Sequence, residues 1–254
     1  MGNGTLGTAQ TLTVTKQASG FTHTIVATCG SASVTICTKS SDTSISFTPP
    51  LTWASQNTTG TSLSVKYTIT TYNGNTSIGS NSYTKTCSIP SSVKPSCSLT
   101  VSDAMGYESK GLSKYKVVVT PTLAYGSEIA SYYVGANFTG YNKASVTTGV
   151  LKSAGNETIN AEVKDKRGRI GTASVTKTVL DYEHPKIRSL MVIRCDSDGK
   201  ENDQGEYAKI TFSGSVTSLN AKNTAKYKLE YKKSSDSTFT VVELSEHNNV
   251  YSVS

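Results

Sequence analysis

Apolar and polar residues alternate with a period of two along most of this 254-residue chain. The alternation is clear at Leu12–Val14, Phe21–Cys29 and Leu63–Ile69, and polar turns separate these runs. A period of two places successive side chains on opposite faces of a β-strand with one buried face. The pattern therefore predicts an all-β fold built from many short strands.

One turn signal belongs to the first third of the chain. Asn73 and Gly74 stand between two alternating runs, and an Asn-Gly pair in this setting is a strong signal for a two-residue hairpin turn. In the same region His23 and Trp53 fall at apolar positions. We interpret His23 as a hydrogen-bonded core histidine and Trp53 as a core residue at a corner of the fold.

A second turn signal is the run Asp-Lys-Arg-Gly-Arg at residues 165–169. In a structural interpretation Asp165 caps backbone amides, Gly168 takes a positive φ, and Arg167 pairs with a neighbouring carboxylate. In a functional interpretation Lys166, Arg167 and Arg169 form a basic tip for an anionic partner. We favour the structural interpretation.

Prolines divide the chain into segments of sandwich size. Pro90 and Pro95 interrupt one pair of strand patterns and Pro185 interrupts another. Proline fixes its own φ, donates no amide hydrogen and keeps its predecessor extended, so these seams are expected to be short and stiff. We predict a lead-in at 1–9 and tandem immunoglobulin-like or fibronectin III-like β-sandwiches at 10–94, 95–185 and 186–254.

The third predicted sandwich has about five of the seven strands that such a domain needs. Its alternating runs are Leu190–Cys195, Ala208–Phe212, Tyr227–Tyr231 and Phe239–Leu244, followed by a strand start at Val250. We therefore expect this sandwich to be incomplete and the natural polypeptide to continue.

Composition narrows the class of protein. Charged residues make up 17% of the chain, the net charge is +7, and the basic residues do not cluster as a nucleic-acid binder requires. No apolar run approaches the roughly 20 residues of a membrane-spanning helix, and the N-terminus has no secretory signal pattern. We expect no nucleic-acid partner and no membrane insertion.

The five cysteines, residues 29, 37, 87, 97 and 195, form no C-x-x-C pair of the kind that zinc sites use. An odd number favours free thiols packed as small apolar groups in a reducing cytosol. A bridge from Cys29 or Cys37 to Cys87 is the alternative.

Candidate chemistry is sparse. The polar loop after residue 195 contains Asp196, Asp198 and Asp203, which could hold a calcium ion, although Lys200 and Glu201 stand where an EF-hand needs an oxygen ligand and a glycine. A solvated turn is the alternative. No nucleophile, paired-carboxylate or phosphate-loop motif occurs, so we expect no enzymatic activity and no cofactor.

Several stretches resemble one family of viral proteins. PPLTWASQNTTGTS, TTYNGNTSIGS and SIPSSVKPS in the first segment, and VKDKRGRIGTASVTKTVLDYEHP followed by IRSLMVIRCDSDG, are similar to minor structural tail proteins of siphophages that infect Gram-positive hosts. The resemblance covers residues 5–215. It implies immunoglobulin-like modules in a tail-tip or tail-fibre component, present in several copies on the virion and without assigned catalytic residues.

Three functions follow as expectations. The first is a structural spacer that presents a distal host-adhesion region, located in the virion tail and assembled in the host cytoplasm. Its partners would be other tail proteins and further copies of the chain, for example in a trimer. The second is direct binding of host cell-wall polysaccharide through Tyr72, Tyr125 and Tyr141, since aromatic rings stack on apolar sugar faces. The third is the stalk of a bacterial surface adhesin.

Overall fold

The computed structural model of the chain describes residues 3–135, 142–244 and 250–253. Regular secondary structure in these residues consists of eighteen β-strands and one 3₁₀ helix, Leu51–Gln56. The predicted fold class, all-β with β-sandwich modules, is confirmed. Within the same described ranges, no helix has the length and apolar character to cross a membrane.

Seven strands lie before the first seam, which we define as residues 89–95. They are β1 Gly4–Thr5, β2 Gln10–Thr13, β3 Phe21–Cys29, β4 Ala32–Ser40, β5 Ser44–Phe47, β6 Ser62–Asn73 and β7 Thr76–Ser88. A five-stranded sheet has the order β1-β7-β6-β3-β4, and β2 pairs with β5 in a second, two-stranded sheet. The two sheets enclose the core of the first sandwich.

Six strands follow the first seam. They are β8 Ser96–Asp103, β9 Tyr115–Thr122, β10 Ile129–Gly135, β11 Ser145–Thr147, β12 Gly155–Asp165 and β13 Ile170–Val179. They form two three-stranded sheets with the orders β10-β12-β13 and β11-β9-β8. The predicted turn at residues 165–169 connects β12 to β13 in a long hairpin.

The last five strands match the predicted runs of the third segment closely. They are β14 Lys186–Cys195, β15 Tyr207–Ser215, β16 Tyr227–Tyr231, β17 Thr240–Leu244 and β18 Val250–Val253. One sheet has the order β14-β15-β18, and β16 pairs with β17.

The core of the first sandwich follows the alternation in its strands. Ile25, Ala27 and Cys29 are buried on β3, as are Leu63 and Val65 on β6, while the residues between them are less buried or exposed. Trp53, 3% exposed, packs in this core with its ring centroid 6.1 Å from that of Phe47. The predicted corner is thus a short 3₁₀ helix that places Trp53 inward.

The predicted hairpin at Asn73 and Gly74 forms, but its turn lies one residue later. Asn73 is the last residue of β6 and pairs with Thr76, so Gly74 and Asn75 are the two turn residues. Gly74 has a φ of +57°. A type II′ turn prefers glycine at this first central position, which explains the shift from the predicted Asn-Gly turn.

The chain forms two compact units. The first comprises Met1–Val101, Val117–Thr147 and Thr158–Thr176, and the second comprises Ser102–Lys116, Thr148–Glu157 and Lys177–Ser254. The domain boundaries at residues 94 and 185 were predicted from the strand pattern along the sequence, which is a different criterion from compactness. They stay a prediction.

The sheet order decides between the two interpretations of the cysteines. Because β6 lies between β3 and β7, Cys29 and Cys87 are separated by two strand spacings, about 9.5 Å. A disulfide joins Cα atoms roughly 4.4–6.8 Å apart, and Cys37 on β4 is one strand further away. All five cysteines are free, as predicted, and burial raises the pKa of the Cys29 and Cys87 thiols.

We expect Gly171→Ala to destabilise the first unit. A Cβ built at Gly171 would lie 2.9 Å from the Cα of Ser96 and closer still to the Pro95 carbonyl, so strand β13 or the first seam must move. Overpacking of this kind costs about 1–3 kcal/mol of unfolding free energy, measurable by denaturant titration.

Gly20→Ala is the matched control, since a Cβ at Gly20 meets no heavy atom within 4 Å. Equal unfolding free energies for the two variants would show that the close approach of Gly171 to Pro95 has no role in stability.

Candidate functional site

The β12–β13 turn carries a buried arginine, Arg167, whose side chain reaches across the first unit. It is 5% exposed. Its Nη2 donates hydrogen bonds to the carbonyl oxygens of Ala54 at 2.8 Å, Asn57 at 2.9 Å and Tyr125 at 3.2 Å. Its Nε donates to the Asn57 carbonyl at 3.2 Å and its Nη1 to the Ala124 carbonyl at 2.8 Å. One guanidinium thus joins the end of the 3₁₀ helix to the loop after β9.

Arg169, from the same turn, binds the first seam. Its Nη1 donates to the Val93 carbonyl and its Nη2 to the Ile89 carbonyl, each at 2.5 Å. These two residues flank Pro90, so the turn contacts the seam on both sides of that proline. We call the Arg167 and Arg169 side chains, with their carbonyl partners, the arginine clamp.

The turn itself is stabilised as the structural interpretation predicted. An Asp165 carboxylate oxygen accepts the Arg169 amide at 2.9 Å, and the Asp165 carbonyl accepts the Gly168 amide at 2.9 Å. Gly168 has a φ of +83°, a conformation in which other residues are strained. Capping by Asp165 and the positive φ of Gly168 are therefore both confirmed.

The predicted partner of Arg167 was wrong. Its donors bind main-chain carbonyls instead of a carboxylate, at the end of the 3₁₀ helix and in the loop after β9. Burial also removes Arg167 from the proposed basic tip, whereas Lys166 is exposed and pairs with Glu128 at 2.5 Å. The sequence could not identify these acceptors, because every residue has a main-chain carbonyl and no residue type marks the ones that bind arginine.

Charge favours this arrangement. The carbonyls at a helix C-terminus carry partial negative charge and attract cations, and a guanidinium offers five donors in a rigid fork. Burial lowers the pKa of Arg167, the neighbouring Asp165 carboxylate opposes that shift, and Arg169 adds to it.

A second candidate site is an open groove in the first sandwich, which we call the edge groove. It lies between residues 12–15 and the inner face of β3, β6 and β7, and has a volume of about 660 Å³. The groove exists because β2 and β5 have four residues each, whereas β6 and β7 have twelve and thirteen. The short sheet covers only part of the long hairpin.

The groove is lined by apolar, aromatic and neutral polar side chains. Leu12, Val14 and Ile69 are apolar, Thr71 supplies a hydroxyl, and Asn81 supplies an amide. Tyr83 is 54% exposed, and its Oη lies 3.2 Å from the Asn81 Nδ2 that donates to it. None of the described lining residues is an aspartate or glutamate.

His23 lies at the floor of this groove and is buried, as its place among the alternating apolar positions of β3 predicted. Its Nδ1 is 3.0 Å from the Thr71 hydroxyl oxygen, and within the described residues its Nε2 has no hydrogen-bond partner. Burial first, and the positive charge of Lys16 second, lower the pKa of His23 below its usual value of 6.5. The ring is therefore neutral at neutral pH.

The three tyrosines predicted to bind sugar do not line the groove. Tyr72 is half-buried beneath the Lys39 ammonium, 5.1 Å from its ring centroid. Tyr125, 37% exposed, adopts a φ of +47° in the loop whose carbonyls bind Arg167. Tyr141 lies outside the described residues. Tyr83 was missed, and only the register of β7 against β6 identifies its inward face.

Of the three aspartates proposed for calcium, Asp196 uses its carboxylate in the loop after β14. An Asp196 carboxylate oxygen accepts the amides of Asp198 at 3.1 Å and Lys200 at 2.9 Å, and the Asp203 carbonyl accepts Arg194 Nη1 at 3.0 Å. Among the described residues, no three His, Cys, Asp or Glu side chains are grouped as a metal site. The geometry is that of a capped turn.

The prolines differ in environment. Pro95 is fully buried, Pro90 is half-buried, and Pro185 is exposed. Stiffness at the first seam was predicted from proline alone. In the structure Pro90 lies between the two carbonyls that Arg169 holds.

Comparison with known proteins identifies a family. A model described as a siphovirus protein of unknown function (DUF859) matches residues 1–252. The chain belongs to this family. The predicted resemblance to siphophage proteins is thereby confirmed, whereas the host and the place in the tail are matters for the proposal below. No curated protein matches this siphovirus protein.

Solved structures are similar to the siphovirus protein in fold type alone. Fibronectin(III)-like modules of Clostridium thermocellum CbhA share 13% identity over 71% of this chain and 90% of theirs, with a TM-score of 0.31. The FN1–FN3 domains of chicken CNTN1 share 10% identity over 70% and 65%, with a TM-score of 0.27. The Bacteroides ovatus protein SGBP-B, solved with a mixed-linkage heptasaccharide, shares 11% identity over 99% and 86%, with a TM-score of 0.23.

We expect acidification to destabilise the first sandwich through His23. Because the folded-state pKa is lowered, the unfolded chain binds a proton first as the pH falls, and the stabilisation present above about pH 6.5 is lost as the pH falls towards the folded pKa. The unfolding free energy should therefore decrease as the pH falls below about 6.5, and His23→Gln should flatten this dependence.

His184→Gln is the control, since His184 is exposed. An imidazole titration by NMR that places His23 at or above its ordinary pKa would contradict the burial argument.

Proposed function

We propose that this siphovirus protein is a structural segment of the tail tip or tail fibre. In this role, tandem β-sandwiches act as a spacer that holds a distal host-adhesion region away from the tail. Its partners are other tail proteins and further copies of the same chain, it works without catalysis, and it is assembled in the host cytoplasm. The family and the β-sandwich modules support this role.

The observation that carries the proposal is the arginine clamp. A spacer is useful only if its joints resist bending, and proline alone leaves ψ free at the residues around it. Arg169 holds carbonyls on both sides of Pro90, and Arg167 holds the end of the 3₁₀ helix. Bending at this seam would leave buried carbonyls without donors, at a cost of about 1–3 kcal/mol for each group.

Labelling of virions tests the location. Antibodies against the purified chain, applied to particles of the siphovirus that encodes it and viewed by electron microscopy, should mark the end of the tail farthest from the capsid. Label on the capsid, or on disrupted cells but not on particles, would refute a tail spacer.

Substitution in the clamp tests the stiffness. We expect Arg169→Ala to open the first seam, with faster amide hydrogen exchange at residues 91–94, because the Ile89 and Val93 carbonyls lose their donors. Arg167→Lys keeps the charge but loses the fork, and should lower the unfolding free energy by roughly 2–4 kcal/mol.

The matched control is Lys166→Gln, from the same turn, which removes only an exposed ion pair with Glu128 worth about 0–1 kcal/mol. Amide hydrogen exchange at residues 91–94, followed by mass spectrometry, should be unchanged in this variant. If Arg169→Ala leaves this exchange as slow as in the control, the clamp does not stiffen the seam.

A further inference from the structure

The edge groove has the form of a binding site, and it is independent of the spacer role proposed above. Its volume of about 660 Å³ falls within the range of small-ligand sites, roughly 300–1,000 Å³. It is open along β7, which beyond the contact of β1 with Cys87 and Ser88 has β6 as its paired neighbour. A chain-like ligand could therefore enter from the side.

The side chains of the groove match a polyhydroxylated ligand. Tyr83 offers an exposed ring beside the Asn81 amide on the same strand. On the opposite wall are the apolar side chains of Leu12 and Val14, and the Thr71 hydroxyl lies beside His23. Neutral donors and acceptors around an aromatic ring suit a sugar, whose hydroxyls need partners and whose C–H face is apolar.

We propose that the edge groove binds a saccharide chain. The ring of Tyr83 supports the apolar face of one sugar unit, and Asn81 with the Thr71 hydroxyl binds the hydroxyl groups of that unit. Lys85, the one cation among the described lining residues, donates to a ring or hydroxyl oxygen.

Other occupants fit less well. Nucleic acid needs several cations along its phosphates, and the described lining has a single lysine. A peptide strand added to β7 would pair with the backbone edge of that strand, whereas the groove lies over the inner face of the sheet. The lining therefore favours a sugar over either polymer.

Binding can be measured by NMR titration of the full-length chain. The probes are soluble hexasaccharides of glucose, galactose, rhamnose and N-acetylglucosamine, with inorganic phosphate as a test for simple anion binding. We expect at least one hexasaccharide to shift the amide signals of residues 79–85 and 12–15 in a saturable way. Tyr83→Ala should weaken that binding roughly tenfold or more, equivalent to about 1.4 kcal/mol.

Two variants separate the contributions. Tyr83→Phe keeps the ring and loses only the hydroxyl bonded to Asn81, so its affinity should stay within about threefold of the unsubstituted chain. Tyr133→Ala removes a tyrosine that is 43% exposed on β10, outside the groove, and should leave binding unchanged.

Three outcomes would overturn the proposal: no hexasaccharide binds, Tyr83→Ala binds as tightly as Tyr133→Ala, or phosphate alone shifts the groove signals. None of these outcomes bears on the arginine clamp, and virion labelling at the tail would stand in each case.

Discussion

The structure of the first unit depends on one buried cation. Arg167 donates hydrogen bonds to four main-chain carbonyls from two separate segments, and none of these acceptors is charged. A guanidinium taken out of water is tolerated only when its donors are satisfied, so these segments must keep their positions together. Neighbouring Arg169 applies the same constraint to the seam at Ile89 and Val93. Alignment at this joint is thus set by hydrogen-bond geometry as well as by apolar packing.

Much of the fold could be predicted from alternation and turn chemistry. The strands, the hairpin at residues 165–169 and the inward His23 and Trp53 follow from local pattern, because burial of one face imposes a period of two. The free cysteines followed from their number. The local pattern was less reliable at the hairpin turn. The predicted turn residues were Asn73 and Gly74, but the positive φ of Gly74 places it first in the turn, so the turn is shifted by one residue.

The candidate sites could not be predicted, since they arise from relations between strands that are far apart in sequence. The acceptors of Arg167 lie 42 to 113 residues away, and carbonyl groups have no residue-type signature. The edge groove results from unequal strand lengths in two sheets, and Tyr83 becomes a lining residue only through its register against Tyr67. We predicted that Tyr72 and Tyr125 are exposed sugar-binding rings. In the structure Tyr72 lies beneath Lys39, and Tyr125 belongs to the loop whose carbonyls bind Arg167.

The two sites lie at different positions along the β6–β7 hairpin and can therefore serve different purposes. Asn57, a partner of Arg167, donates its side-chain amide to the Ser62 carbonyl at the start of β6, whereas Thr71 in the groove is near the end of that strand. The nine residue steps from Ser62 to Thr71 span about 30 Å in an extended strand, and Tyr83 of the groove pairs with Tyr67, between these two positions. The arginine clamp leaves the groove uncovered for this reason. A sandwich whose seam is held by the arginine clamp can keep that joint rigid while its open groove contacts a ligand.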